Sequence, residues 1–206
     1  MVVDLLGLLA YGDLVAFQRM AADATLAPDL ARRALLCEMA GVEIVHYRRV
    51  ADRLTAVGAD VVAAMTPFRS ALDDYHEQTE PSSWLEALTK AYVGDSIADD
   101  FVREVADALR PADRHLLEDL RRDSPYARFA ADEIRAALAD DPASADRLSM
   151  WARRVVGEAI SQAQRVAAQR LSLVRTLVGG DQLVPAVLTR LTTAHTSRMS
   201  TVGLNN

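Results

Sequence analysis

Asp29-Leu30-Ala31-Arg32-Arg33-Ala34-Leu35-Leu36-Cys37-Glu38-Met39-Ala40-Gly41-Val42-Glu43-Ile44-Val45-His46-Tyr47-Arg48-Arg49-Val50-Ala51-Asp52-Arg53-Leu54-Thr55-Ala56-Val57-Gly58 is the stretch that decides the fold. Leu36, Met39, Val50 and Leu54 recur at helical spacing, and Gly58 stops the run as a C-terminal cap does. Glu43 and His46 continue the same apolar series. They form the only Glu-x-x-His of the chain, and residues three apart on a helix share a face, so both side chains can close on one metal ion.

Composition extends the helical reading to the whole chain. Half of the 206 residues are hydrophobic, enough for a sizeable core, and only 9 Gly and 7 Pro interrupt them, so long helices are favoured over strands. A net charge of −6 offers no overall attraction to nucleic acid or anionic lipid. The single cysteine, Cys37, excludes an internal disulfide framework, fits a reducing compartment and reads as a small buried helix residue. The apolar start, Val2 to Ala10, is broken by Asp4 and has no basic region before it, unlike a signal peptide, and no uncharged run reaches membrane-spanning length. A cytoplasmic location is expected.

Four further long helices surround the deciding one. Asp4 to Thr25 carries Leu5, Leu9, Ala16 and Met20 on one stripe and ends before Pro28. Ser82 or Ser83, with Glu86, caps a helix that runs to Leu109 before Arg110-Pro111. Ala112 to Ala139 and Ser144 to Val178 follow, the latter stopped by Gly179-Gly180, and a final helix covers Gln182 to Met199. Ala59 to Pro81 is long enough to cross the end of a bundle, with a short helix at Phe68 to His76. Two short connections and one crossover predict an all-α four-helix bundle with additional C-terminal helices: a single domain over 1–202, with 203–206 as a flexible tail.

Acidic residues occupy positions where core residues are expected. Asp13 continues the first stripe; Asp95 and Asp99 lie on the inner face defined by Leu88, Tyr92, Val102, Ala106 and Leu109; Asp123 is bracketed by Leu116, Leu120, Ala127, Ala130 and Ile134. Facing carboxylates inside a bundle need cations, protons or mutual hydrogen bonds. Carboxylates with imidazole suit iron or manganese, and two such ions can activate dioxygen. Asp13 and Glu43 are similarly distant from the turn near Pro28, and Asp95 or Asp99 and Asp123 from the turn near Pro111, which sets each pair at one level between antiparallel neighbours.

The order Asp13, Glu43-x-x-His46, Asp95 or Asp99, and Asp123 resembles the ferritin-like di-iron carboxylate proteins. Residues 11–17 (YGDLVAF), 92–95 (YVGD), 151–159 (WARRVVGEA) and 194–199 (AHTSRM) are similar to actinobacterial ferritin-like proteins related to the tRNA 2-methylthio-N6-isopentenyladenosine hydroxylase. That resemblance spans nearly the whole chain. It implies a ferritin-like bundle with a di-iron site held by Asp13, Glu43, His46, Asp95 or Asp99, and Asp123, dioxygen as co-substrate, a tRNA substrate and a homodimer. The chain departs from the pattern in two places. Asp13 replaces a longer Glu, and Asp123-Ser124-Pro125-Tyr126 stands where a second Glu-x-x-His is expected, with Tyr126 a phenol ligand or a packing residue and Pro125 a local kink.

Other polar residues read as structural. Glu158 and Gln162 reach the site or pair with Arg153 or Arg154, the pairing being the favoured reading, His76 is solvated in the crossover, and His195 beside Arg198 and Met199 is a packing or interface residue. The chemistry expected is iron-dependent hydroxylation in the bundle core, with no residue assigned as catalyst beyond the ligands. The competing expectation is a metal-free helical module that dimerises or binds a partner, its acids hydrogen-bonded to Tyr, Gln and Arg.

Overall fold

The computed structural model describes residues 2–105, 109–122, 126–170 and 184–205, without the side chains of Asp95, Val105, Arg121, Arg122 and Val184. Every regular element among these residues is helical. We number the α-helices α1 (Val2–Asp23), α2 (Leu30–Ala56), α3 (Val61–Met65), α4 (Arg69–Gln78), α5 (Trp84–Val105), α6 (Pro111–Arg122), α7 (Tyr126–Asp140), α8 (Ser144–Gln169) and α9 (Val184–Thr201), with short 3-10 turns at Ala24–Leu26 and Thr66–Phe68. They form two compact units: Met1–Gln78 with Gln162–Leu173, and Thr79–Ser161 with Val174–Asn206.

In the first unit α1 packs along α2. The Asp29 side chain accepts the Arg32 N–H at 2.9 Å and caps α2, and at its other end Gly58, with φ 77°, lets the Ala59 N–H reach the Leu54 carbonyl at 3.0 Å. The face so fixed buries Leu36, Met39, Ala40, His46, Val50 and Leu54. On α1 the buried residues are Leu5, Leu6, Gly7, Ala10, Val15 and Met20, whereas Leu9 and Ala16 are half-exposed. The expected single stripe is therefore displaced, because α1 packs against α3 as well as α2. Gly7 makes that second contact possible: a Cβ there would stand 2.2 Å from the Ala64 carbonyl oxygen.

The crossover is more regular than expected. Asp60 caps α3 by accepting the Ala63 N–H at 2.7 Å, Pro67 sits in the 3-10 turn that follows, and α4 continues to Gln78. The last turns of α8 close this unit. Arg165 binds Asp74 and donates to Ser70 Oγ at 2.7 Å, while Arg170 lies 3.6 Å from Asp4 and over the Phe68 ring. Cys37 is exposed on α2, against the expectation of a buried thiol, because α2 packs through the opposite face that carries Leu36 and Met39.

In the second unit α5 packs against α7 and α9. Both expected cap residues are used: Ser83 Oγ accepts the Glu86 N–H at 3.3 Å, and Glu86 accepts the Ser82 N–H and hydroxyl at 2.8 and 2.6 Å. Trp151 donates its indole N–H to the Glu86 carbonyl at 2.9 Å, joining α8 to the first turn of α5. The helix expected over Ala112 to Ala139 is described as α6 and α7, and Pro125 between them lies outside the described residues, as do Gly179-Gly180 and the end of the helix expected to reach Val178. After α9, where a loose tail is expected, Gly203 has φ 82°, Leu204 is buried and the Asn205 N–H bonds Ser149 Oγ at 2.9 Å.

Candidate metal centre

Asp13, Glu43 and His46 all belong to the first unit, on the paired helices α1 and α2. His46 is 7% exposed, with Nδ1 3.6 Å from Glu43 Oε2. That is too long for a hydrogen bond and suits two groups facing one position. Nε2 of the same ring is buried without a hydrogen-bond partner. Asp13 is half-exposed as a residue, yet its Oδ2 is shielded from solvent and also lacks a partner.

Burial raises the Asp13 carboxyl well above the usual carboxylate range, and the neighbouring Glu43 charge raises it further. Lost water and a like charge both oppose its ionisation. A cation would offset the like charge, and two carboxylates with an imidazole are donor types that a metal ion takes, with an unused oxygen on Asp13 and an unused nitrogen on His46. Among the described residues no three His, Cys, Asp or Glu side chains are close enough to hold a metal as they stand.

Of the remaining expected ligands, Asp99 lies in the second unit. Asp99 on α5 is half-buried and has partners of its own, the Asp95 side chain is outside the described residues, and so is Asp123. The described α5 carboxylate that is buried is Asp100, which accepts Arg198 Nη2 on both oxygens at 2.5 Å. Sequence reading missed it because Asp99 and Asp100 are adjacent. Arg103 on the same helix donates to Asp100 at 3.0 Å but stands at helical spacing from both aspartates, so the distant Arg198 is the cation that distinguishes them. Tyr126 is buried 6.4 Å from the Phe129 ring, consistent with a packing role.

Tyr11 lies close to Asp13 in sequence but serves another contact. Its phenol donates to Asp73 Oδ1 at 2.5 Å, tying α1 to α4, and its pKa is pushed up to about 12 by burial and then by the Asp73 bond. His76 is half-buried with its ring 4.8 Å from that of Tyr75, not solvated as expected, because the crossover forms the packed helix α4. Gln162 accepts Arg165 Nη1 at 3.3 Å, one turn along its own helix, where Arg153 or Arg154 was the expected partner.

A family model described as a ferritin-like domain of actinomycetes matches residues 1–180. The chain belongs to this ferritin-like family. The match runs from α1 past the end of α8 and takes in Asp13, Glu43 and His46, while α9 begins beyond it at Val184. No match is found among curated proteins. For the ferritin-like chain the all-α fold is thus established by both the helices and the family. Its superfamily often binds iron, which makes the carboxylate–imidazole group of α1 and α2 the place to look for a metal. No helix among the described residues is long and apolar enough to cross a membrane.

Proposed function

We propose that this ferritin-like protein binds iron through Asp13, Glu43 and His46 and uses it, with dioxygen and an external two-electron donor, to hydroxylate an organic substrate, the second oxygen atom leaving as water. The observation that supports this reading is the pair of buried, partnerless atoms, Asp13 Oδ2 and His46 Nε2, both belonging to residues within electrostatic or ion-pair reach of Glu43. Such atoms cost about 1–3 kcal/mol each when left unsatisfied, and a cation would relieve both. Bound iron would supply dioxygen activation, the chemistry that carboxylate and imidazole ligands support. The chain's part is to shield the site with the α1–α2 interface and to release the Asp13 proton as the cation enters.

Asp95 or Asp99 and Asp123 are proposed as further ligands on their helical positions in the sequence. A modified tRNA adenosine is the proposed substrate class and a cytoplasmic homodimer the proposed form, both on the resemblance stated above. Comparing modified nucleosides in cells with and without the gene tests the substrate. Iron quantification after anaerobic reconstitution tests the site, with the Glu43→Ala, His46→Ala double variant as control. Wild type retaining no more iron than the double variant would overturn the proposal.

One observation favours a second reading. Burial already biases Asp13 toward its proton, so a proton can take the place of a cation. In that case the domain is a metal-free helical module that acts by dimerisation or by binding a partner, and the iron measurement separates the two.

A further inference from the structure

The second unit contains a buried histidine that the proposed site does not use. His195 on α9 is 0% exposed, and neither ring nitrogen has a hydrogen-bond partner. One turn later on the same face, Arg198 sends Nη2 to Asp100 while its Nη1 is buried without a partner. A second ion pair lies on the other side of His195 along α9, where Arg190 grips Glu104 through Nε at 2.9 and 3.0 Å and Nη2 at 2.5 Å. Two arginine–carboxylate pairs therefore clamp α9 to α5, with an unpartnered imidazole between them along the helix.

We propose that His195 is an acid-sensitive latch: neutral, it lets α9 seat against α5, and protonated, it sets a second cation beside Arg198 and releases α9.

Among the described side chains of the seam the acids are already engaged, Asp99 of α5 with partners of its own. From α5, Asp100 is committed to Arg198 and to Arg103, whose Nη1 donates at 3.0 Å, and Glu104 is committed to Arg190. Tyr92, also from α5, is a buried phenol whose pKa is raised by burial, and Lys90 is buried on the same helix. From α7, Arg135 donates to the Thr201 carbonyl at 3.3 Å and to Asp132 at 2.8 Å. From α8, Arg153 reaches the Asn205 carbonyl at 3.4 Å. Burial, and then the Arg198 charge, hold the His195 imidazole below its ordinary titration range. Its folded value is thus lower than its unfolded one, so the stability it confers is present above the ordinary histidine range and drains away as pH falls through it.

Backbone hydrogen exchange of the full chain, corrected for intrinsic exchange rates, tests the latch. Protection of α9 amides is expected to fall about tenfold or more between about pH 7.5 and about pH 5, beginning in the ordinary histidine range and no later than the titration of the His195 ring observed by imidazole NMR in the same sample. The His195→Leu protein is expected to keep α9 protection constant over that range. If this variant does not fold, the unsubstituted protein still decides. Protection that stays level while the ring titrates, or that falls only in the carboxylate range, overturns the proposal. So does an equal fall in a folded His195→Leu protein.

Discussion

Asp13 changes the sign of its contribution according to what neutralises it. In the metal-free protein its carboxyl is raised above the ordinary value of 3.8 by burial and by Glu43. A raised folded value means that its contribution to stability is fully present below the unfolded value and is lost as pH rises through the folded one. At neutral pH the metal-free protein therefore carries either a buried, unsatisfied carboxylate or a proton held against bulk pH. Asp13→Asn removes the titration and keeps the shape, so the metal-free variant is expected to be more stable than wild type by about 1–2 kcal/mol at about pH 7. Urea denaturation should show this advantage shrinking toward acid, and an advantage that does not depend on pH would contradict the argument. The same substitution is expected to lower iron retention, since an amide lacks the charge that a cation requires.

Helix packing sorts the glycines of α1 and α2 into opposite classes. Ala is the better helix former by about 1 kcal/mol, so only tertiary contact can make a helical Gly preferable. At Gly41 a Cβ would meet nothing within 4 Å, and Gly41→Ala is expected to stabilise by about 0.5–1 kcal/mol. At Gly7 the Cβ would lie 2.2 Å from a backbone oxygen of α3, and Gly7→Ala is expected to destabilise by about 2–4 kcal/mol, read as opposite shifts in urea midpoint. This contrast also shows what sequence could reveal. The ends of α2 were legible because Asp29 and Gly58 act through their own local chemistry, and the same holds for Ser82, Ser83 and Glu86 at α5. The Asp60 cap and Pro67 carried equally local signals for α3 and its 3-10 turn, but the crossover was read only as one short helix. Where the answer depended on a distant partner, periodicity failed: the buried face of α1 follows from α3, and the choice of Asp100 over Asp99 follows from Arg198.

At the scale of the molecule, the candidate iron ligands that the structure brings near one another lie within the first unit, and the histidine latch lies within the second. Sequence reading placed His46 on the buried face of α2, with Glu43 at its partly exposed edge, because helical period determines that face. The two units follow from tertiary contacts, and the long helix α8 contributes residues to both. If Asp13, Glu43 and His46 hold iron, the ion stabilises the native state by mass action and acts first on the helices that carry its ligands. Free iron at about 100 times its dissociation constant is worth about 2.7 kcal/mol, which corresponds to roughly a hundredfold slower exchange for α1 and α2 amides that open with the site. Anaerobic hydrogen exchange with and without ferrous iron measures this directly. The slowing is expected in wild type and absent from the Glu43→Ala, His46→Ala protein, because that variant keeps the α1–α2 interface but lacks two of the three groups that would hold the ion. Equal slowing in both would place iron somewhere other than this site.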